Sequence, residues 1–354
     1  MRFCCLVIVV ILSACCSDLV ITTESQQDFG SVFETKYSII FVIHGDGDYL
    51  YHDSSGNEYL ADEEALAQAE RVAQQNPYAE VFIFHQRPRQ YFLFFFPVRD
   101  GEFYYYRNGR LIKNELYWRD QEQSRLYPEV DLYRLFHKGD PHKEVGVFIY
   151  CGHEIPEFGG LGYDESYPDR KFTVDDLARG LEALTSDSSR YDLTILSTCF
   201  GGTPYTIGKL GLYTRTIIAS PDNLHLSYFD FLSLQRLDFS LQDGDMPAFA
   251  QRFARQSFDR LTTNIQTAVS IAVYDIESAQ KFLNSVQNDY NNTLISLKGM
   301  TQANLAAIEH CDCADLPAYQ ISTMNNGVDV FFRPARFGRS KNKQNHSGWE
   351  CWKH

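Results

Sequence analysis

Residues 191–202 read YDLTILSTCFGG. Leu193–Ser197 is a short apolar run rich in strand-forming side chains, the pattern of a strand buried on both faces of a parallel sheet. It ends at Thr198-Cys199-Phe200, and Gly201-Gly202 then allow a tight turn into a helix. A cysteine at such a turn can set its thiolate beside backbone N–H groups. Those groups lower a thiol pKa and stabilise an oxyanion.

The same rhythm runs outward in both directions. Upstream, Glu144–Tyr150 (EVGVFIY) is followed by Cys151-Gly152-His153-Glu154, then by a helix over Val174–Leu184 with Thr173 as N-cap. Further upstream, Tyr37–Ile43 (YSIIFVI) ends at His44-Gly45-Asp46-Gly47-Asp48. A helix over Ala61–Gln75 and a strand at Glu80–Phe84 come next. Downstream lie a strand at Thr214–Ala219, a helix near Met246–Thr262, a strand near Val269–Tyr274 and a helix near Glu277–Tyr290. This alternation predicts an α/β fold, a mainly parallel sheet covered by helices on both faces. Active sites of such sheets collect at the carboxyl ends of the strands. Cys199 and His153 stand at two such ends. An imidazole there can take the thiol proton and later give it to a leaving amine.

Residues 90–118 break the rhythm. QYFLFFFPV, EFYYYR and RLIKNELYW are aromatic-rich, and Asp100-Gly101 and Asn108-Gly109 between them are hairpin signals. The expectation is an antiparallel meander inserted at about 88–120. Its rings could form a ligand-binding face, but packing on a neighbouring sheet is the favoured reading.

The formal net charge is −14, with Lys and Arg dispersed along the chain. That excludes the clustered basic face a nucleic-acid partner needs. Only residues 336–354 turn basic and polar, and they are expected to form a frayed tail.

The chain opens MRFCCLVIVVILSACC. Arg2 precedes the apolar run Leu6–Leu12, which is far short of the roughly 20 residues of a membrane-spanning helix and fits a signal peptide over 1–14. Leu12-Ser13-Ala14-Cys15 resembles a bacterial lipobox. It implies acylation of Cys15, a tether over 15–35, and an exported chain held on a bacterial membrane through lipid. Cys16 is a poorer lipidation candidate, and an ordinary cleaved signal peptide is the competing reading.

Five cysteines lie beyond that segment: Cys151, Cys199, Cys311, Cys313 and Cys351. An odd number in an oxidising compartment leaves at least one thiol unpaired. Cys311-Asp312-Cys313 is too tight for a zinc site. Cys151 reads as a buried core thiol, with a disulfide to Cys199 as the alternative. His44, Asp46, Asp48 and His52 are of types that bind divalent metals, but the favoured reading is a glycine-rich turn. No metal or other cofactor is expected.

His153 precedes Cys199 by 46 residues, near the roughly 50 typical of the caspase pair. GLGYDES at 160–166, FTVDDLARGLEAL at 172–184, YDLTILSTCFGG at 191–202 and IIASPDNLHLSYFD at 217–230 resemble the clostripain family of cysteine peptidases, relatives of caspases, legumain and gingipains. FVIHGDGDYL at 41–50, SIAVYDIESAQKFLNSV at 270–286 and GVDVFFRP at 327–334 extend the likeness over most of 37–335. The resemblance implies a caspase-like three-layer sandwich over residues 36–335 and a protein or peptide substrate. It implies His153 as general base and acid, Cys199 as nucleophile, and an oxyanion hole from the N–H groups of Cys199 and Glu154.

Two departures bear on this reading. The family usually has Gly where Glu154 stands. Members that cleave after Arg or Lys carry Asp where Ser197 stands, at the base of the substrate pocket. Asp222, in the loop after the next strand, is the remaining candidate for a substrate-binding carboxylate. The rival function is a catalytically inactive lipoprotein that keeps the fold and binds peptide or surface glycan. A metal hydrolase built on the His44 cluster is a third reading.

Overall fold

The computed structural model describes residues 34–45, 50–52, 58–93, 95–119, 125–139, 145–159, 164, 166–185, 189–224, 229–240, 245–298, 312–315 and 327–351. Strand β1 (Tyr37–His44) is buried along its whole length. Its alternate side chains serve two separate cores: Ile40 and Val42 face one helix layer, Ile39, Phe41 and Ile43 the other. That is why its sequence is an unbroken apolar run.

The chain then makes a small antiparallel pair, β2 (Leu50–His52) with β3 (Glu58–Leu60), followed by α1 (Ala61–Gln75) and β4 (Ala79–Gln86). A short hairpin, β5 (Tyr91–Phe92) with β6 (Phe96–Pro97), leads to β7 (Gly101–Arg107) and β8 (Arg110–Tyr117). After α2 (Tyr127–Phe136) come β9 (Val145–Cys151), α3 (Val174–Leu184), β10 (Tyr191–Ser197), α4 (Pro204–Leu210) and β11 (Thr214–Ala219). The last elements are α5 (Leu237–Ser240), α6 (Met246–Asn264), β12 (Val269–Asp275), α7 (Ile276–Lys298) and β13 (Val328–Arg333).

One nine-stranded sheet runs in the order β13-β12-β11-β10-β9-β1-β4-β7-β8. Its centre, from β11 to β4, is parallel, and antiparallel strands extend both edges. Helices α2, α3 and α7 pack on one face, α1 and α6 on the other. The expected α/β three-layer sandwich is therefore what the chain forms. From β1 the chain builds β4 on one side, then returns to build β9, β10 and β11 on the other. The carboxyl ends of β1 and β9 flank this switch point, where doubly wound sheets open a crevice.

Several elements match the sequence reading closely. Helix α3 has Thr173 as its cap in a reciprocal capping box with Asp176. The turn Asn108-Gly109 has φ of +52° and +76°, the left-handed pair a two-residue hairpin requires. The aromatic stretch is antiparallel as expected, and its strands β7 and β8 continue the main sheet from the edge of β4. Asp100-Gly101 is not a hairpin turn. Asp100 is buried, and its carboxylate accepts the Arg119 N–H at 3.1 Å and pairs with Arg170 at 2.6 Å. Helix α2, opened by Leu126-Tyr127-Pro128, has no counterpart among the expected elements.

The tail is also different. Residues 346–351 are buried rather than frayed. Trp349 fills the core between Tyr274 and Phe282, and Cys351 is disulfide-bonded to Cys313. Among the described residues no helix is long and apolar enough to cross a membrane.

Candidate active site

Strands β9 and β10 pair in parallel with Cys151 opposite Ser197. His153 and Cys199 each stand two residues beyond that pair, so the backbone sets them level at the carboxyl edge of adjacent strands. Two bonds tie the loops together. Gly152 N–H donates to Ser197 O at 3.4 Å, and the Thr198 hydroxyl donates to His153 O at 2.5 Å. A third brace joins the Thr203 hydroxyl, which caps α4, to the buried Glu157 carboxylate. His153 and Glu154 are half-buried.

Cys199 is 8% exposed. Its thiol donates to Asn223 Oδ1 at 3.2 Å, and its sulfur accepts the Leu224 N–H at 3.4 Å. The next residue, Phe200, has φ of +50°. A non-glycine residue there carries roughly 1–2 kcal/mol of backbone strain. The surroundings hold it: Phe200 N–H donates to Asp222 O at 3.1 Å and Gly202 N–H to Ser220 O at 3.2 Å. At Gly202 a Cβ would collide with the Tyr274 hydroxyl and crowd Pro221. The strand therefore ends in a rigid elbow that turns the cysteine toward the loop after β11.

Ser197 is completely buried, and its Oγ accepts the Phe229 N–H at 2.8 Å. Asp222 sits in the loop that clamps Phe200, with Ser220 Oγ accepting its N–H at 3.1 Å. Its carboxylate accepts the Ser270 hydroxyl at 2.7 Å and lies 3.7 Å from His346 Nε2. The tail is built into this corner. Glu350 N–H donates to Gly202 O at 3.0 Å, the Tyr274 hydroxyl donates to Gly348 O, and Asp312 accepts from Ser347 N–H at 3.2 Å. Thr198, Asn223 and His346, which also meet in this corner, carry no motif that marks them in the sequence. The signal for the tail was a tryptophan and a cysteine, Trp349 and Cys351, within a polar run.

His44 closes β1 as a packed core residue. Its ring lies edge-on to Tyr150 and Phe172, its Nδ1 is 3.2 Å from Tyr150 Oη, and burial holds its pKa well below the ordinary value. Asp46, Asp48, the His52 side chain and Cys311 lie outside the described residues, as does Cys15 with the rest of the N-terminal segment. Among the described residues no three His, Cys, Asp or Glu side chains converge as metal ligands. Cys151 is a buried thiol outside any disulfide, its pKa pushed up by burial, and Cys199 is likewise not disulfide-bonded.

No family model matches the chain, and no curated protein does. Solved structures do. A secreted C11 cysteine protease from Bacteroides thetaiotaomicron superposes with a TM-score of 0.50 at 11% identity, covering 74% of this chain and 71% of the other. An inactive zymogen C11 protease from Parabacteroides distasonis superposes with a TM-score of 0.55 at 10% identity, covering 89% of this chain and 91% of that one. The fold is that of the C11, or clostripain-family, cysteine proteases. A third structure with this C11 fold is the Bacteroides thetaiotaomicron protease in complex with an irreversible peptide inhibitor, with a TM-score of 0.50 at 10% identity over 72% of this chain and 69% of that one.

Proposed function

We propose that this chain is an exported cysteine endopeptidase that works through a Cys199–His153 dyad. The observation that carries the reading is the level placement of the two residues past Ser197 and Cys151, with the Thr198–His153 bond between their loops. In the reaction, His153 takes the Cys199 proton and the sulfur attacks the scissile carbonyl carbon. The N–H groups of Cys199 and Glu154 receive the oxyanion. The C–N bond breaks as His153 gives its proton to the amine. A water, deprotonated by His153, then cleaves the thioester and restores the thiol.

The P1 side chain this site suits is small or polar and uncharged. Ser197 offers no charge and spends its hydroxyl on Phe229, and Asp222 is already engaged by Ser270 and His346. A guanidinium left without a partner in a pocket costs several kcal/mol. Export rests on residues 1–16, and membrane attachment on acylation of Cys15. The secreted protease from Bacteroides thetaiotaomicron, which shares the fold, agrees with export.

A second reading has one observation in its favour. The Cys199 thiol is nearly enclosed and donates its proton to an amide oxygen, which suits a neutral sulfur. On that reading the chain is an inactive member of the fold that binds peptide or glycan. Labelling with a peptidyl acyloxymethyl ketone library separates the two, with Cys199→Ala as control. Covalent labelling that needs Cys199 supports the peptidase and reports its P1 preference. Peptide binding without labelling would replace it by the binding protein.

A further inference from the structure

Outside the main sheet, the β5–β6 hairpin carries Tyr91, Phe92, Leu93, Phe95 and Phe96, all exposed, from 47% at Tyr91 to 81% at Phe95. Scattered apolar side chains on a surface are ordinary, but five exposed ones gathered on one short hairpin mark a surface that meets something. Leu116 and Trp118 add exposed apolar area at the root of the hairpin, where Arg99 Nη1 donates to Leu116 O at 2.9 Å. The hairpin bonds its own backbone: Phe95 N–H donates to Phe92 O at 3.3 Å and Val98 N–H to Gln90 O at 3.0 Å.

From Gln86 to Arg99 the sequence holds three arginines, Arg87, Arg89 and Arg99, and no carboxylate, in a protein of net charge −14. Arg87 is paired with Glu102 at 3.1 Å, so Arg89 and Arg99 are the cations the hairpin presents. Arg89 and Arg99 are exposed. Arg89 is set against the rings of Tyr91, at 5.2 Å, and Tyr167, at 5.4 Å.

We propose that the β5–β6 hairpin is a membrane-interface anchor that enters the headgroup region of an anionic phospholipid bilayer. Each part matches what that medium requires. Apolar aromatic rings enter the acyl boundary, internally bonded backbone avoids the cost of bare N–H and C=O groups, and flanking guanidiniums meet lipid phosphates. An acidic protein is repelled by an anionic surface, so a local cluster of cations is what such docking needs. Strands of two residues each offer no edge long enough for β-augmentation by a protein partner. The proposal does not depend on the Cys199 thiol being catalytic.

The test uses the full chain with Cys15→Ser, which removes any acyl group, on vesicles of phosphatidylcholine with and without phosphatidylglycerol. With Phe95→Trp added, tryptophan emission is expected to shift to the blue on anionic vesicles and to be quenched by brominated acyl chains. Phe92→Ser/Phe95→Ser/Phe96→Ser is expected to weaken vesicle binding by about a hundredfold or more, and Arg89→Glu/Arg99→Glu by about tenfold on the anionic vesicles alone. Circular dichroism checks that these exposed changes leave the fold intact. Unquenched Phe95→Trp on bound protein would overturn the proposal, since attachment would then come from the N-terminal segment. Loss of self-association in the triple variant with unchanged vesicle binding would also overturn it, and would assign the hairpin to a second copy of the chain.

Discussion

The Thr198 hydroxyl donates a 2.5 Å hydrogen bond to the carbonyl oxygen of His153. The positions of the candidate nucleophile and base are therefore coupled through one side chain that is itself buried. Thr198→Val withdraws that donor, and a half-buried acceptor deprived of its partner costs about 1 kcal/mol. We expect kcat/KM to fall roughly ten- to hundredfold, with Thr198→Ser recovering most of the loss. Steady-state kinetics on the best substrate from the ketone library will check this, and an unchanged kcat/KM in the valine variant would show that the loops are held by other means.

Asn223 faces the sulfur. Replacing it with Asp sets a carboxylate beside Cys199, and like charges at about 3 Å oppose each other strongly. The midpoint of the pH dependence of iodoacetamide alkylation at Cys199 should therefore move up by about one unit or more in Asn223→Asp. In Asn223→Ala the thiol loses its acceptor without gaining a charge, so its midpoint should lie below that of Asn223→Asp. Identical midpoints in both variants would remove Asn223 from the control of this thiol.

The proposed P1 preference makes its own prediction. Profiling should show small or polar uncharged P1 residues preferred, and Asp222→Ala should leave the order of preference unchanged. A strong Arg preference lost in Asp222→Ala would instead make that carboxylate the specificity determinant.

His85 lies buried between Asp62, at 2.9 Å, and Glu102, at 3.2 Å. Burial alone would lower its pKa, but the bonds to the two carboxylates outweigh burial and raise it above 6.5. Glu102 is held below 4.5, first by the His85 hydrogen bond. A raised histidine stabilises the fold fully below its unfolded value and loses that contribution as pH climbs through the folded one. A depressed carboxylate contributes above its unfolded value and loses it as pH falls. The pair is thus at full strength between about pH 4.5 and 6.5. His85→Gln should cost about 1–2 kcal/mol in that window and less at higher pH. Tm measured against pH for both proteins tests the sign, and a pH-independent difference would refute it.

Cys351→Ser opens a loop of sequence separation 38. Loop-closure entropy puts the loss at roughly 4 kcal/mol. The tail also braces Gly202 and faces Asp222, so activity should decline together with stability. Full activity in a destabilised Cys351→Ser protein would show that the tail supports the fold without shaping the site.

How much of this was legible depends on what each residue's partner is. The layers follow from β1, β9 and β10, because a run buried on both sides must be apolar throughout. Helix α3 announces itself through Thr173 and Asp176, which bond within one turn. The strand ends at His153 and Cys199 fall out of the same reading. Asn223 could not be found that way, since its meeting with the sulfur depends on the path of the loop after β11. Residues 346–351 are buried because Asp312, Cys313 and Tyr274 receive them, and polar composition alone suggests the opposite. QYFLFFFPV has the composition of a buried strand. Only the missing cover over Phe92, Phe95 and Phe96 tells a surface from a core.

The bond between Cys313 and Cys351 also sets an order of events. The segment that braces the Cys199 elbow is synthesised about 150 residues after Cys199 itself, and its covalent fastening needs an oxidising environment. Until that tail is in place the elbow lacks its last support. On the proposed export, the frame around Cys199 is completed only where the tail can be oxidised, and delivery and maturation become the same step.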